Sequence, residues 1–156
     1  MAKTAALLKE TGTRKEELVK KRDNFEKNIK RWMELEDLTV GSCDAIMKKS
    51  DSAVVKAIMK AIKMDSQKHK ELLAVVIECL EGTVTMTPDD LATISSLLEG
   101  HSQVEKEAID MAEKTLGDSR NFVISHIIKC ILEDERKHFA MATDMNAFKS
   151  HIYPYA

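Results

Sequence analysis

Only five glycines and two prolines punctuate the chain, and between them apolar residues recur every three or four positions rather than every two. Both facts select helices, because glycine and proline are the strongest breakers and a period near 3.6 residues lines one helical face. Leu18, Arg22, Phe25, Ile29, Trp32, Glu36, Val40, Cys43 and Met47 form the first such stripe, which predicts a helix over about 13–49. Ser50, Asp51 and Ser52 can cap a second helix over about 52–81, with Val54, Ile58, Ala61, Asp65, His69, Leu72, Val76 and Leu80 inward and Gly82 as its stop.

Thr87-Pro88-Asp89-Asp90 is a strong helix start: threonine caps, proline takes the first helical position, and two acids face the positive end of the helix dipole. The third helix is expected over about 88–116, with Leu91, Ile94, Leu98, His101, Glu105, Ala108, Ile109 and Ala112 inward and Gly117 as a left-handed cap. Gly100 lies inside it at a cost of about 1 kcal/mol relative to alanine and is where a break would fall. The fourth helix is expected over about 119–148, with Ile124, Ile127, Ile131, Asp134, His138, Met141 and Met145 inward, and a non-helical tail containing Pro154. Four long amphipathic helices joined by short loops predict an all-α four-helix bundle, a single domain over 1–156.

Composition narrows the function. With 44% hydrophobic and 32% charged residues, the chain is that of an ordinary folded protein. A net charge of −2 argues against general nucleic-acid binding, which needs a basic face to displace counterions. The longest purely apolar run, Leu72 to Ile77, falls far short of the ~20 residues of a membrane helix. The opening MAKTAALLKETG lacks the apolar stretch of a signal peptide, so a cytoplasmic location is expected. Cys43, Cys79 and Cys130 form no CxxC pair, which leaves reduced and mostly buried thiols.

The polar residues on the inward stripes carry the chemistry. An offset of 69 residues overlays Glu36 to His69 on Glu105 to His138 without a gap. Glu36, Ser50, Val54, Ile58, Lys60, Ile62, Asp65, Lys68 and His69 then match Glu105, Ser119, Val123, Ile127, Lys129, Ile131, Asp134, Lys137 and His138. Shared isoleucine, valine and lysine are what any two amphipathic hairpins have in common. Glutamate, aspartate and histidine recurring together at the same offsets are not, because such residues seldom belong on an apolar stripe. The repeat implies two hairpins related by a pseudo-twofold axis, with carboxylates and imidazoles meeting at one depth. Burying several carboxylates is costly, and a divalent cation is the usual way to offset it.

Glu135 and His138, three residues apart, are neighbours on one helical face and could bind one metal or bridge two. Asp134 could accept from an imidazole N–H and so fix the metal-binding tautomer, and its match Asp65 would do the same in the first half.

These residues resemble those of the ferritin-like di-iron carboxylate superfamily, which includes rubrerythrins and ferritins. Its pattern is a glutamate from each of two helices plus Glu-x-x-His from each of the other two. The resemblance covers about residues 14–148 and is specific at Glu36, His69, Glu105, Glu135 and His138. It implies iron, as one or two ions, or manganese, and oxidation of ferrous iron or reduction of peroxide or dioxygen. Electrons would come from a separate donor or from ferrous iron, since rubredoxin-like cysteines are missing.

Two departures stand out. The first Glu-x-x-His reads Ser66-Gln67-Lys68-His69, so a hydroxyl replaces one of six expected ligands, and His101, one turn before Glu105, is the best substitute. The segment from Gly82 to Thr87 can span only ~20–25 Å, which favours short antiparallel connections, with the family's long crossover as the alternative if the chain around Gly100 unravels. The alternative is a non-catalytic bundle with a degenerate metal site, serving as an interaction or storage subunit, and homodimerisation is compatible with either. His126 is expected to be lateral to the site, and Phe25, Trp32 and Phe139 to be core.

Overall fold

The computed structural model describes the backbone of residues 2–84 and 86–152, and side chains over 16–84 and 86–148. It is all-α among the described residues, with α1 over Ala2–Lys49, α2 over Ala53–Glu81, α3 over Pro88–Asp118 and α4 over Phe122–Ile152. The chain divides into two compact units, Met1–Val84 and Thr85–Ala156. Each holds one antiparallel helical hairpin, α1 with α2 and α3 with α4.

Local chemistry accounts for most boundaries. Ser52 is extended (φ −69°, ψ 120°), and its hydroxyl accepts from the Val55 N–H, capping α2. Gly82 ends α2 in the left-handed region (φ 74°), where its N–H reaches the Cys79 carbonyl at 3.1 Å and the Thr83 N–H reaches the Glu78 carbonyl at 3.0 Å. That pairing satisfies carbonyls with no helical donor left, in a conformation that favours glycine. At α3 the Thr87 hydroxyl accepts from the Asp90 N–H at 3.3 Å while the Asp90 carboxylate accepts from the Thr87 N–H at 2.8 Å. The Thr87 hydroxyl, donating to the Asp90 carboxylate at 2.7 Å, and then the Thr87 backbone N–H hold that carboxyl below the usual carboxylate range.

Four boundary expectations are corrected. Helix α1 begins at Ala2 rather than near 13. Helix α3 runs through Gly100 without a break and ends at Asp118, so Gly117 is helical and the extended Ser119 is the cap. Helix α4 starts at Phe122, because the Asn121 side-chain carbonyl accepts from Val123 N–H at 2.9 Å and Ile124 N–H at 3.1 Å. It ends at Ile152, so the tail is helical through His151 and Ile152, whereas Pro154 lies outside the described residues.

In the first hairpin the buried line on α1 is Ile29, Glu36 and Cys43, spaced by seven, facing Ser66 and Leu73 on α2. Asp44 pairs with Lys63 at 2.6 Å and Asp37 with Lys70, flanking that seam, while the Arg22 guanidinium donates to the Leu80 carbonyl at 3.0 Å near the end of α2. In the second hairpin Leu91 and Glu105 are buried on α3, and Leu132 and Ala142 on α4. Arg136 bridges to Glu113 at 2.7 Å, and Ser95 donates to Asn146 at 3.4 Å.

On α2 and α4 the buried line lies one residue beyond the expected stripe: Ser66 and Leu73 in place of Asp65 and Leu72, Ala142 in place of Met141. One residue turns a helix by about 100°. Leu72, Ile131 and Met141 are consequently exposed, as are Phe25 and Trp32, while Phe139 is only half-buried. Of the cysteines only Cys43 is buried, and Cys79 and Cys130 are exposed, which corrects the expectation of mostly buried thiols.

Candidate metal centre

Glu105 reaches the seam of the second hairpin because it sits two helical repeats of seven beyond Leu91, the most buried residue of α3. Glu135 lies three residues past buried Leu132 on the facing helix, and His138 three residues further. Among the described residues, Glu105, Glu135 and His138 form the one group of three or more metal-ligating side chains whose donor atoms all lie within 4.8 Å of one another.

The geometry is that of two carboxyl groups facing each other with an imidazole beside them. His138 Nδ1 stands 3.5 Å from Glu135 Oε2 and 3.9 Å from Glu105 Oε2. His101, one turn before Glu105 on α3, places Nε2 3.1 Å from Glu105 Oε1. Burial is graded, since the Glu105 side chain is 10% exposed, Glu135 25% and His138 41%. One edge therefore opens to solvent. That edge is a shallow groove of about 410 Å³, lined by Leu98, His101, Glu105, His138, Met141 and Met145 among others.

Electrostatics follow from the pairing. The hydrogen bond with Glu135 pushes the Glu105 carboxyl above the usual range, reinforced by burial and by the Glu135 charge and opposed by His101 and His138. Two carboxyl groups set against each other disfavour each other's charge, and a cation between them would relieve that repulsion.

The first hairpin builds a different arrangement from matching positions. Glu36 is buried on α1, and its carboxylate accepts from the Trp32 indole N–H at 2.9 Å and from the Ser66 hydroxyl. His69 Nδ1 lies 3.2 Å from the same Oε1 that Trp32 reaches. The Ser66 hydrogen bond is the largest cause that holds Glu36 below the usual carboxylate range, and Trp32 and His69 add to it against the cost of burial. Asp65 pairs with Lys68 at 2.5 Å, and Asp134 is half-buried one residue before Glu135.

The expected site residues thus sort by hairpin. Glu105, Glu135, His138 and His101 come together in the second unit, and Glu36 and His69 in the first. Trp32 is the partner that sequence reasoning missed by assigning it to the core. The signal was present, because the same 69-residue offset lays Trp32 on His101, and both stand one turn before the glutamate they contact. His126 contacts Cys130 on α4, with 3.9 Å between Nε2 and Sγ.

Comparison with protein families, curated proteins and solved structures finds no match.

Proposed function

We propose that the second hairpin binds one divalent cation through Glu105, Glu135 and His138, with His101 as an adjacent donor. The observation that carries this reading is the convergence of two carboxyl groups and an imidazole within 4.8 Å, one carboxyl being mostly buried. Two oxygen donors and one nitrogen donor suit a hard to borderline ion such as ferrous iron or manganese, better than a thiophilic one. The charge balance supports it too: a divalent ion would neutralise both carboxylates.

In this reading Glu105 and Glu135 bind through oxygen and His138 through Nδ1, the ring atom that faces both carboxylates. His101 holds Glu105 from the other side and stands at the groove, where it can hold a proton at Nε2 for an incoming oxidant. With three protein donors, a bound ion would keep positions for water or an oxidant. Bound iron would supply one-electron chemistry toward peroxide or dioxygen, the activity implied by the resemblance to ferritin-like and rubrerythrin-like proteins.

The first hairpin supports a single ion rather than two. Glu36 already accepts hydrogen bonds from Ser66 and Trp32 and faces His69, so it needs no cation to offset its burial. The same satisfied carboxylate favours a second reading, in which the protein is a non-catalytic helical subunit with a degenerate metal site.

Metal analysis of the protein from cells supplied with iron and manganese tests the proposal. Close to one ion per chain is expected, falling sharply in Glu135→Gln. Metal far below one per chain, or unchanged in Glu135→Gln, overturns it, and bound metal without turnover of peroxide or ferrous iron selects the non-catalytic reading.

A further inference from the structure

We infer that Met141, with Met145 behind it, is an oxidation site of the protein itself: peroxide admitted to the groove beside Glu105 and His138 gives one oxygen atom to a thioether on the groove wall. The inference rests on the proposed metal centre and names where an oxidant reaching it would act on the chain. Met141 lies three residues past His138, so the two side chains are neighbours on one face of α4, and Met145 follows one turn later. Both methionines line the groove that also holds His101, Glu105 and His138. Exposure by itself would choose other methionines. Met111 is 70% exposed and Met64 58%, against 44% for Met141, while Met145 is half-buried. Met111 belongs to α3, six residues past Glu105, which turns it about 120° away from that glutamate on the helix. Met64 belongs to the first hairpin.

The step balances with hydrogen peroxide as the co-reactant. A lone pair of the methionine sulfur forms the new S–O bond as the O–O bond breaks. The departing oxygen takes the proton of the transferred one and leaves as water, so sulfur is oxidised and peroxide reduced by the same electron pair. The product is a sulfoxide, polar and able to accept hydrogen bonds, where an apolar thioether stood. A wall made of Leu98, Met141, Ala142 and Met145 would thereby turn polar next to the site, and enzymatic sulfoxide reduction would restore it.

Peptide mass spectrometry tests this on the full chain loaded with ferrous iron, freed of excess metal and treated with equimolar hydrogen peroxide. Sulfoxide is expected at Met141 about fivefold or more ahead of Met111, the reverse of their exposure. Zinc-loaded protein, whose ion has no redox chemistry, should return to the exposure order with Met111 first, and Glu135→Gln should do the same. Met141→Leu, a swap that nearly keeps volume, should retain iron and move the oxidation to Met145. Iron content measured on the same samples keeps two failures apart. Protein that holds no iron defeats the metal centre and this inference together. Iron-loaded protein that oxidises Met111 first, or oxidation of Met141 that is equal in zinc-loaded protein or in Glu135→Gln, overturns the inference alone.

Discussion

Ser66 and Glu135 hold the same place in the repeat and act oppositely on the glutamate each one faces. Ser66 donates a hydroxyl hydrogen bond to Glu36 and is the main reason that carboxyl stays below its usual range. Glu135 brings a second carboxyl to Glu105 and is the main reason that one is raised. The serine-for-glutamate difference, together with Trp32 where the second hairpin has His101, thus separates a carboxyl held below its usual range from one held above it.

Ser66→Glu should make the first hairpin resemble the second. The new carboxyl would face Glu36, raise it and form, with His69, a second three-donor set. Made in a Glu135→Gln background, the variant is expected to restore close to one metal ion per chain. Elemental analysis checks this, and no gain in metal would count against reading the hairpins as equivalent scaffolds.

Glu135→Gln should lower metal affinity by at least ~100-fold, since it removes one of three charged or nitrogen donors. It should also stabilise the metal-free protein near neutral pH, because a carboxamide can donate to Glu105 where a carboxylate repels it. Calorimetric metal titration and thermal melting with chelator measure the two effects, which are expected to have opposite signs.

The pH dependence of the metal-free protein should differ between hairpins. Glu36 is lowered on folding, so its contribution is present above the unfolded-state value and is lost as pH falls through the folded one. Glu105 is raised, so the protonated carboxyl favours folding at low pH and that stability is lost as pH rises through its folded value. Hydrogen exchange followed by segment from acid to neutral pH should show α1–α2 gaining protection and α3–α4 losing some. Metal affinity should rise over the same range, with proton release that Glu135→Gln reduces.

Stability should follow burial on α3. Leu91 is 1% exposed and Leu97 71%, although both belong to the same helix. Leu91→Ala is expected to cost about 2–5 kcal/mol and Leu97→Ala less than about 0.5 kcal/mol, as measured by urea denaturation. Comparable losses would mean that the seam has been misplaced.

The caps of α2 and the start of α3 were legible in the sequence because each is written in adjacent residues, whereas the end of α3 and the start of α4 were not. The Thr87–Asp90 capping box, the Gly82 stop and the three-residue spacing of Glu135 and His138 all depend on contacts within one or two turns. The 69-residue repeat even paired Trp32 with His101, though only the structure gives that pairing a meaning. The facing lines on α2 and α4 were not legible, and the expected stripes were displaced there by one residue.

Sequence alone determined that the chain is helical, where α2 stops and α3 starts, and which acids and imidazoles recur at equal offsets, because periodicity, caps and repeats are properties of the chain taken by itself. Tertiary structure decided which of two adjacent residues faces the neighbouring helix. Asp65 and Ser66, or Asp134 and Glu135, differ by only about 100° on a helical wheel. That rotation is set by the packing of Leu73 or Leu132 into the opposite helix, and it determines whether a carboxyl group meets a hydroxyl or another carboxyl.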